Sequence, residues 1–227
     1  LKTFVENEHS FTGKYFKVAD GVSTLDLSSL DQAFTPIGTT QFHFGGIFDG
    51  QGVNIVLDIN QPLSEYIGLF HTLGQTALIK NIEISGSLIG QSYVGSIAGR
   101  NMGTIDNVHN YASITSIDGN DIGGIVGYNE GTITKATNQG LVDMNGTYAG
   151  GITGQNSGTI TDAYNLANVS GNTAIGGIVG RNLNTIKYTY NNANISGQNV
   201  IGGIAGENIS RIDHSFNHGD IRANVST

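Results

Sequence analysis

The sequence predicts an all-β protein built as a single-stranded parallel β-helix. Three observations lead to this prediction: a short motif recurs at nearly constant spacing, Gly and Asn are abundant beside β-branched residues, and no stretch has a sustained helical apolar period. The 227 residues include 34 Gly and only 2 Pro. A period between about 20 and 50 residues is typical of solenoids, and this composition favours short strands joined by tight corners.

The motif is hydrophobic-Gly-Gly-Ile-x-Gly-x-Asn, with Ser for the second Gly in its first copy, and it occurs five times. Its first glycines, Gly95, Gly123, Gly150, Gly176 and Gly202, lie 28, 27, 26 and 26 residues apart. Such a unit has room for three short strands, each paired with its equivalent in the next coil. We expect about eight coils of 22–28 residues. Right-handed winding is favoured, because parallel crossovers are right-handed.

Within each unit, apolar and Asn positions recur at fixed offsets from the first glycine. The second position after it supplies one predicted core column: Ile97, Ile125, Ile152, Ile178 and Ile204. The sixth and fifteenth positions supply two predicted Asn ladders: Asn101, Asn129, Asn156, Asn182 and Asn208, and Asn110, Asn138, Asn165, Asn191 and Asn217. Stacked amides hydrogen-bond along such a column, and Asn tolerates the left-handed backbone of sharp corners. Because the apolar spacing in Gly-Gly-Ile departs from two, we also expect a bend there.

The pattern loosens towards the N-terminus, which predicts two regions in one continuous body. Residues 1–45 form an atypical first coil or cap, with strands at Tyr15-Phe-Lys-Val and Leu25-Asp-Leu, and residues 46–227 form the regular β-helix. Another glycine at the established spacing would fall just after Thr227. We therefore expect the chain to be a fragment of a longer protein.

Composition disfavours several classes of function. The formal net charge is −8 and no run of Lys or Arg is present, which disfavours nucleic-acid binding. No apolar run approaches the roughly 18 residues of a membrane span, so we expect no membrane insertion by this segment. Cys is absent and the six His residues are scattered, so we expect no metal site and no cofactor.

The motif hydrophobic-Gly-Gly-Ile-Val-Gly-x-Asn, followed by Gly-Thr-Ile and Asn-x-Ala-x-Val, resembles the GLUG repeat of bacterial surface proteins. The upstream strings Pro36-Ile-Gly and Phe44-Gly-Gly-Ile-Phe-Asp-Gly look like the segment that leads into such repeats. The resemblance implies an adhesin-like or haemagglutinin-like parent protein. The repeat also accompanies the metalloprotease domain of IgA1-cleaving peptidases, which leaves a second alternative open.

Two groups of acidic residues are candidates for chemistry. Asp106, Asp162 and Asp213 occupy nearly the same repeat position, but the coils between them carry Thr134 and Lys187. Glycoside cleavage needs two carboxyl groups that flank one bond, so dispersed acids disfavour catalysis and we expect no enzyme activity. The corner Asp118-Gly-Asn-Asp121 could bind Ca²⁺, although a plain polar turn is favoured.

One column of aromatic residues is the candidate ligand-binding site. The fourteenth position carries Tyr164, Tyr190 and Phe216 in consecutive units. Facing inward, these side chains would form a core ladder; facing outward, they would offer a platform for sugar rings or another protein. The frequency of like residues in cross-β columns favours the inward ladder. In a neighbouring exposed column, Arg181 and Glu207 are placed to form an ion pair across coils.

These observations favour a non-catalytic, secreted or cell-surface bacterial β-helix that serves as a stalk and as an adhesion surface. Its expected partners are a host protein or glycan and the other domains of the same polypeptide. The alternative is an accessory segment of a secreted peptidase or polysaccharide-degrading enzyme whose catalytic domain lies elsewhere.

Overall fold

The computed structural model describes residues 10–30 and 34–224, and this part of the chain contains strands and turns but no helix. All strand pairs are parallel, and the chain winds through about seven turns of a β-helix, which confirms the predicted fold class. Of the predicted first coil, residues 1–9 and 31–33 lie outside the described residues. The two strands expected there are present and pair with the next coil.

Three parallel sheets run along the molecule, and the largest has sixteen strands. Its N-terminal part contains β1 (Tyr15–Lys17), β2 (Thr24–Asp26) and the long strands β3 (Ile47–Asn60) and β5 (Leu78–Gly90). From there the sheet divides into two arms. The first arm contains β7 (Thr104–Asn110), β11 (Thr132–Asn138), β15 (Thr159–Asn165), β19 (Thr185–Lys187), β20 (Tyr190–Asn191), β24 (Ile212–Asp213) and β25 (Phe216–Asn217). The second arm contains β8 (Ser113–Ser116), β12 (Val142–Met144), β16 (Val169–Ser170), β21 (Ile195–Gly197) and β26 (Ile221–Ala223).

The other two sheets have six and four strands. The six-stranded sheet contains β4 (Phe70–Leu73), β6 (Ala98–Asn101), β10 (Val126–Asn129), β14 (Thr153–Asn156), β18 (Val179–Asn182) and β23 (Ala205–Asn208). The four-stranded sheet contains β9 (Asn120–Gly123), β13 (Thr147–Gly150), β17 (Thr173–Gly176) and β22 (Asn199–Gly202). A regular coil therefore has four strand segments where the sequence predicts three, because the expected bend at Gly-Gly-Ile separates β13 from β14.

Equivalent residues of successive coils pair in register, which places identical side chains one above another. Ile133, for example, is paired with Ile105 on one side and with Ile160 on the other. Ile125 and Ile152 are fully buried, as the core column requires. Because every coil adds the same apolar side chains to one narrow interior, the core is continuous along the axis.

Both predicted Asn ladders are present. The amide nitrogen of Asn129 donates to the side-chain oxygen of Asn156 at 2.8 Å, and Asn138 donates in the same way to Asn165 at 2.8 Å. Each ladder amide also hydrogen-bonds the backbone two residues later in the same corner. Asn156 donates to the Gly158 carbonyl at 3.1 Å and accepts from the Gly158 N–H at 3.3 Å. Every donor and acceptor of such a buried amide is thereby satisfied.

One predicted reason for Asn at these corners is that Asn tolerates a left-handed backbone. That expectation is wrong, because none of the ladder Asn residues has a left-handed backbone conformation. The left-handed backbone occurs instead in two columns of non-glycine residues. The first is Asn81, Asn107, Lys135, Asp162, Tyr188 and His214, and the second is Tyr66, Tyr93, Asp121, Tyr148, Ala174 and Val200. A non-glycine residue in this region is strained, so the surrounding coils hold these positions in place.

The first coil is attached through a buried carboxylate, Asp49, which is 3% exposed. It accepts hydrogen bonds from the Tyr15 hydroxyl at 2.9 Å and the Asn81 amide at 2.9 Å, and the Lys80 ammonium lies 3.1 Å away. Burial alone would raise the pKa of Asp49, but these partners and the Gln51 N–H outweigh it and hold the pKa well below its usual range. The carboxylate therefore contributes stability at neutral pH that is lost in strong acid.

We expect Asp49→Ala to lower the free energy of unfolding by about 3 kcal/mol, because it leaves buried donors without an acceptor. Urea denaturation measures the loss, and hydrogen exchange in β1 localises it. The matched control is Asp20→Ala, which removes an exposed ion pair with Lys17 and should leave the urea midpoint nearly unchanged, because water screens such a pair. Equal effects of the two substitutions would contradict the role assigned to Asp49.

Candidate functional site

The predicted aromatic column lies on the outer face of the first arm. Tyr164 pairs in register with Tyr190, and Tyr190 with Phe216. Tyr164 is 41% exposed and Phe216 61% exposed, and the Tyr190 and Phe216 ring centroids are 4.4 Å apart with a 30° angle between the ring planes. The inward ladder that the sequence favours is therefore wrong. Tyr190, between them, is half-buried, and the three side chains form an outward-facing surface, here called the aromatic platform.

A local irregularity explains this orientation. In β15 the register runs through Ile160 and Thr161, omits the left-handed Asp162, and resumes at Ala163. The omitted residue shifts the alternation of side chains by one position, so that Ala163 is buried and Tyr164 faces solvent. Simple alternation counted from Ile160 would place Tyr164 inside.

The three acidic residues of the first arm do not converge. Asp106 pairs with Thr134 in the adjacent coil, and Asp213 pairs with Lys187 in the coil next to its own. Several coils separate Asp106 from Asp213. Asp162 belongs to the left-handed column and not to the column of the other two. An acid–base pair around one glycosidic bond is therefore not formed by these residues.

The corner at Asp118–Asp121 also separates its two acids. Asp118 is exposed, and the Asn145 amide lies 3.5 Å from its carboxylate, whereas Asp121 is buried at the start of β9. Within residues 10–30 and 34–224, no three His, Asp or Glu side chains lie close enough together to hold a metal ion.

A second surface was not predicted. Tyr66, Tyr93, Asp121 and Tyr148 occupy successive coils of the second left-handed column, and we call them the tyrosine shelf. Their backbone covers the glycines of the six-stranded sheet: a methyl group on Gly127 would lie 2.5 Å from the carbonyl carbon of Tyr93. Those glycines are thus required for close approach between coils.

At the N-terminal end of the shelf, three rings stack on one another. Tyr66 and Tyr93 have centroids 4.5 Å apart and planes 10° apart, and His71 stacks on Tyr66 at 4.8 Å. Burial raises the pKa of both tyrosines. Burial, and then repulsion from His43, lowers the pKa of His71 to about 4, so this imidazole is neutral at physiological pH.

Two arginines of the six-stranded sheet border the shelf, and both are paired. The Arg100 guanidinium lies 2.5 Å from the Glu130 carboxylate. Arg181 lies 3.2 Å from Glu207, which confirms the predicted ion pair across coils, and its guanidinium sits 5.5 Å from the centre of the Tyr148 ring. These pairs hold the arginine side chains along the shelf.

Asp121 is the least solvated charged group of the shelf. It is 8% exposed, and its Oδ1 atom is buried without a hydrogen-bond partner among the described residues. Burial raises the pKa of Asp121 to about 7, against the opposing attraction of Arg181. Near neutral pH this carboxyl group therefore exists in both protonation states.

The Asp121→Asn variant should be more stable than the wild type in a pH-dependent way. As pH rises from about 4 to about 7, the unfolded chain releases this proton while the folded chain keeps it, so wild-type stability falls by up to about 4 kcal/mol. The amide lacks this penalty. Urea midpoints should coincide near pH 4 and diverge towards pH 8; Asp143→Asn, at an exposed strand position, serves as the control. Parallel pH profiles for wild type and Asp121→Asn would contradict the assignment.

Sequence reasoning missed the shelf because its column lies outside the repeated motif and is not constant in residue type along the chain. Tyr66, Tyr93, Asp121 and Tyr148 each stand one residue before the hydrophobic position of the motif, and Ala174 and Val200 follow at the same position in later coils. Their common feature is a left-handed backbone conformation, which cannot be recognised from the sequence when the residue is not glycine.

Comparisons with known proteins give two partial matches. The chain is 30% identical over 112 residues to a protein of Evansella cellulosilytica named "Putative Gly-rich membrane protein", and 32% identical over 120 residues to halomucin of Haloquadratum walsbyi. The matches cover 46% and 50% of this chain but only 13% and 1% of those proteins. No family model and no solved structure matches.

The described residues include no helix with the length and hydropathy of a membrane span.

Proposed function

We propose that this chain is a non-catalytic β-helical segment of a secreted or cell-surface bacterial protein, where it acts as a stalk and as an adhesion surface for a host glycan or protein. The observation that carries the proposal is the aromatic platform, in which the exposed Tyr164 and Phe216 and the half-buried Tyr190 line one outer face on three consecutive coils. Exposed aromatic rings in a row suit sugar faces and protein contacts.

The division between inner and outer positions supports the same proposal. Inner positions repeat Ile and Asn with little variation, as the buried columns require, whereas outer positions change from coil to coil. A frame of this kind is rigid along its axis and presents different side chains at regular intervals. Both properties suit a stalk that carries recognition on its surface.

Two further observations fit a cell-surface location without catalysis. The residues resemble the GLUG repeat of bacterial surface proteins, and one partial relative is named as a membrane protein. A cleft of about 480 Å³ lies between residues 10–12, 41–45 and 74–76, and His43 is the one ionisable side chain among the described residues that line it. Acid–base hydrolysis needs two such groups.

The test is binding of the purified chain to a printed glycan array and to immobilised fibronectin and collagen. We expect saturable binding to at least one ligand, weakened about tenfold or more in a Tyr164→Ala/Tyr190→Ala double variant that melts at the wild-type temperature. Binding that survives the double change would exclude the platform as the contact surface. Failure to bind any ligand, or turnover of a polysaccharide by this chain alone, would overturn the proposal.

A further inference from the structure

We propose that the tyrosine shelf is a glycan-binding site in which Asp121 accepts hydrogen bonds from the hydroxyl groups of a neutral, extended oligosaccharide. The inference rests on the proposed adhesive function and assigns it a second surface, formed by the four-stranded and six-stranded sheets and separate from the aromatic platform.

The first argument is the state of Asp121. A buried carboxyl oxygen without a partner is costly, and this one lies in a strained left-handed residue as well. The group keeps 8% of its surface exposed, so one edge meets solvent. A ligand hydroxyl at that edge would donate to the carboxylate and stabilise the charge that burial disfavours.

The second argument is the placement of the tyrosines. Tyr93 and Tyr148 occupy the coils immediately before and after Asp121, and Tyr66 extends the row by one more coil. All three are half-buried, and contacts hold their rings in place: Tyr66 and Tyr93 stack on each other, and the Arg181 guanidinium lies over the Tyr148 ring. Side chains of this type supply contact area at low cost in conformational entropy.

The third argument is spacing. Successive coils present one shelf residue every ~4.8 Å, which is close to the length that one pyranose ring occupies in an extended glycan chain. A linear oligosaccharide lying along the helix axis could therefore place successive rings against Tyr93, Asp121 and Tyr148. Because the sugar units and the coils repeat at similar intervals, each sugar unit would stay aligned with one coil over several coils.

The charges favour a neutral ligand over an anionic one. Arg100 and Arg181 border the shelf, but Glu130 and Glu207 already neutralise them. Asp121 adds negative charge at its centre. An anionic glycan would meet a carboxylate where it needs a cation, whereas neutral hydroxyl groups can donate to it.

The groups that act electrostatically with Asp121 are Tyr66, Tyr93 and Arg181. Burial raises the pKa of both tyrosines and lowers the pKa of His71 to about 4, so neither these phenols nor this imidazole changes charge between pH 6 and pH 8. A pH response of binding that is present in the wild type and absent in Asp121→Asn is therefore assigned to Asp121. Because a carboxylate is the stronger acceptor, affinity should rise from pH 6 to pH 8.

The experiment measures binding of cellohexaose, chitohexaose and mannohexaose to the full chain by surface plasmon resonance at pH 6 and pH 8, with heparin and fibronectin as probes of the other ligand classes. The variants are Asp121→Asn, Tyr93→Ala, the control Asp143→Asn, and the Tyr164→Ala/Tyr190→Ala platform variant. We expect at least one neutral hexasaccharide to bind, with affinity reduced about tenfold at pH 8 by Asp121→Asn, as loss of one charge-assisted hydrogen bond predicts.

The controls separate this inference from the proposed function. Unchanged binding in Asp143→Asn and the platform variant, together with a flat pH response in Asp121→Asn, supports the shelf as the site. Loss of binding in the platform variant alone overturns the shelf and leaves the adhesive function standing. Absence of any hexasaccharide binding, or shelf-dependent binding of heparin or fibronectin only, also overturns the assignment of a neutral glycan.

Discussion

The Gly150→Ala variant is expected to lose about 3 kcal/mol or more of folding free energy, and in a marginal chain it would not fold. The added methyl group would lie 2.6 Å from the Ile178 carbonyl oxygen and 2.6 Å from the Val179 Cα, and closer still to the Thr153 carbonyl oxygen. All three are backbone atoms, two of them in the next coil. Relief therefore requires the coils to separate, which would break the parallel ladders around them.

Gly74→Ala is the matched control for this substitution. The nearest atom to its added methyl group is the His43 Cβ at 3.4 Å, an ordinary contact. Since alanine also restricts the unfolded chain, Gly74→Ala should be neutral or slightly stabilising, within about 1 kcal/mol. Thermal unfolding followed by circular dichroism distinguishes the two variants. Similar melting temperatures for both would show that close coil spacing is not the reason for the first glycine of the motif.

The second large effect is expected at the centre of an Asn ladder. Asn156→Ala removes the acceptor of Asn129 and the donor to Asn182, together with both bonds to Gly158. The neighbouring amides remain buried, so their free donor and acceptor bear the full cost of desolvation. We expect the free energy of unfolding to fall by about 3–5 kcal/mol.

Asn208→Ala provides the comparison, because it is the same change at an exposed position in the same ladder. Water can replace its lost bonds to Asn182 and Ser210, so we expect a loss below about 1 kcal/mol. Urea denaturation measures both variants. If the central and terminal substitutions cost the same, the stabilisation would come from each local corner and not from the buried column.

Much of the fold could be predicted from repetition. A residue that recurs at one offset in five units must occupy five equivalent environments, so the Ile column, both Asn ladders and the bend at Gly-Gly-Ile were all accessible to sequence reasoning. Strand pairing of Tyr15–Lys17 and Thr24–Asp26 with the next coil follows the prediction of an atypical first coil. Repetition identifies buried positions because burial permits few residue types.

The candidate sites could not be predicted in the same way. The outward direction of Tyr164 depends on the left-handed Asp162, which shifts the alternation of β15 by one residue. The raised pKa of Asp121 depends on its burial in the assembled coils, and Arg181, which is distant in the sequence, opposes the shift. The first effect depends on a backbone conformation that no particular residue type marks, and the second depends on contacts between segments far apart in the sequence.

The sequence by itself therefore determined the architecture: a parallel β-helix, the composition of its interior and the positions of its corners. Only the tertiary structure decided which variable side chains share a surface, with Tyr93, Asp121 and Tyr148 on the shelf and Tyr164, Tyr190 and Phe216 on the platform. The physical reason is that a one-dimensional stack constrains buried positions to repeat but leaves exposed ones free. What those exposed residues form together depends on backbone conformation and on contacts between coils, which a single period does not encode.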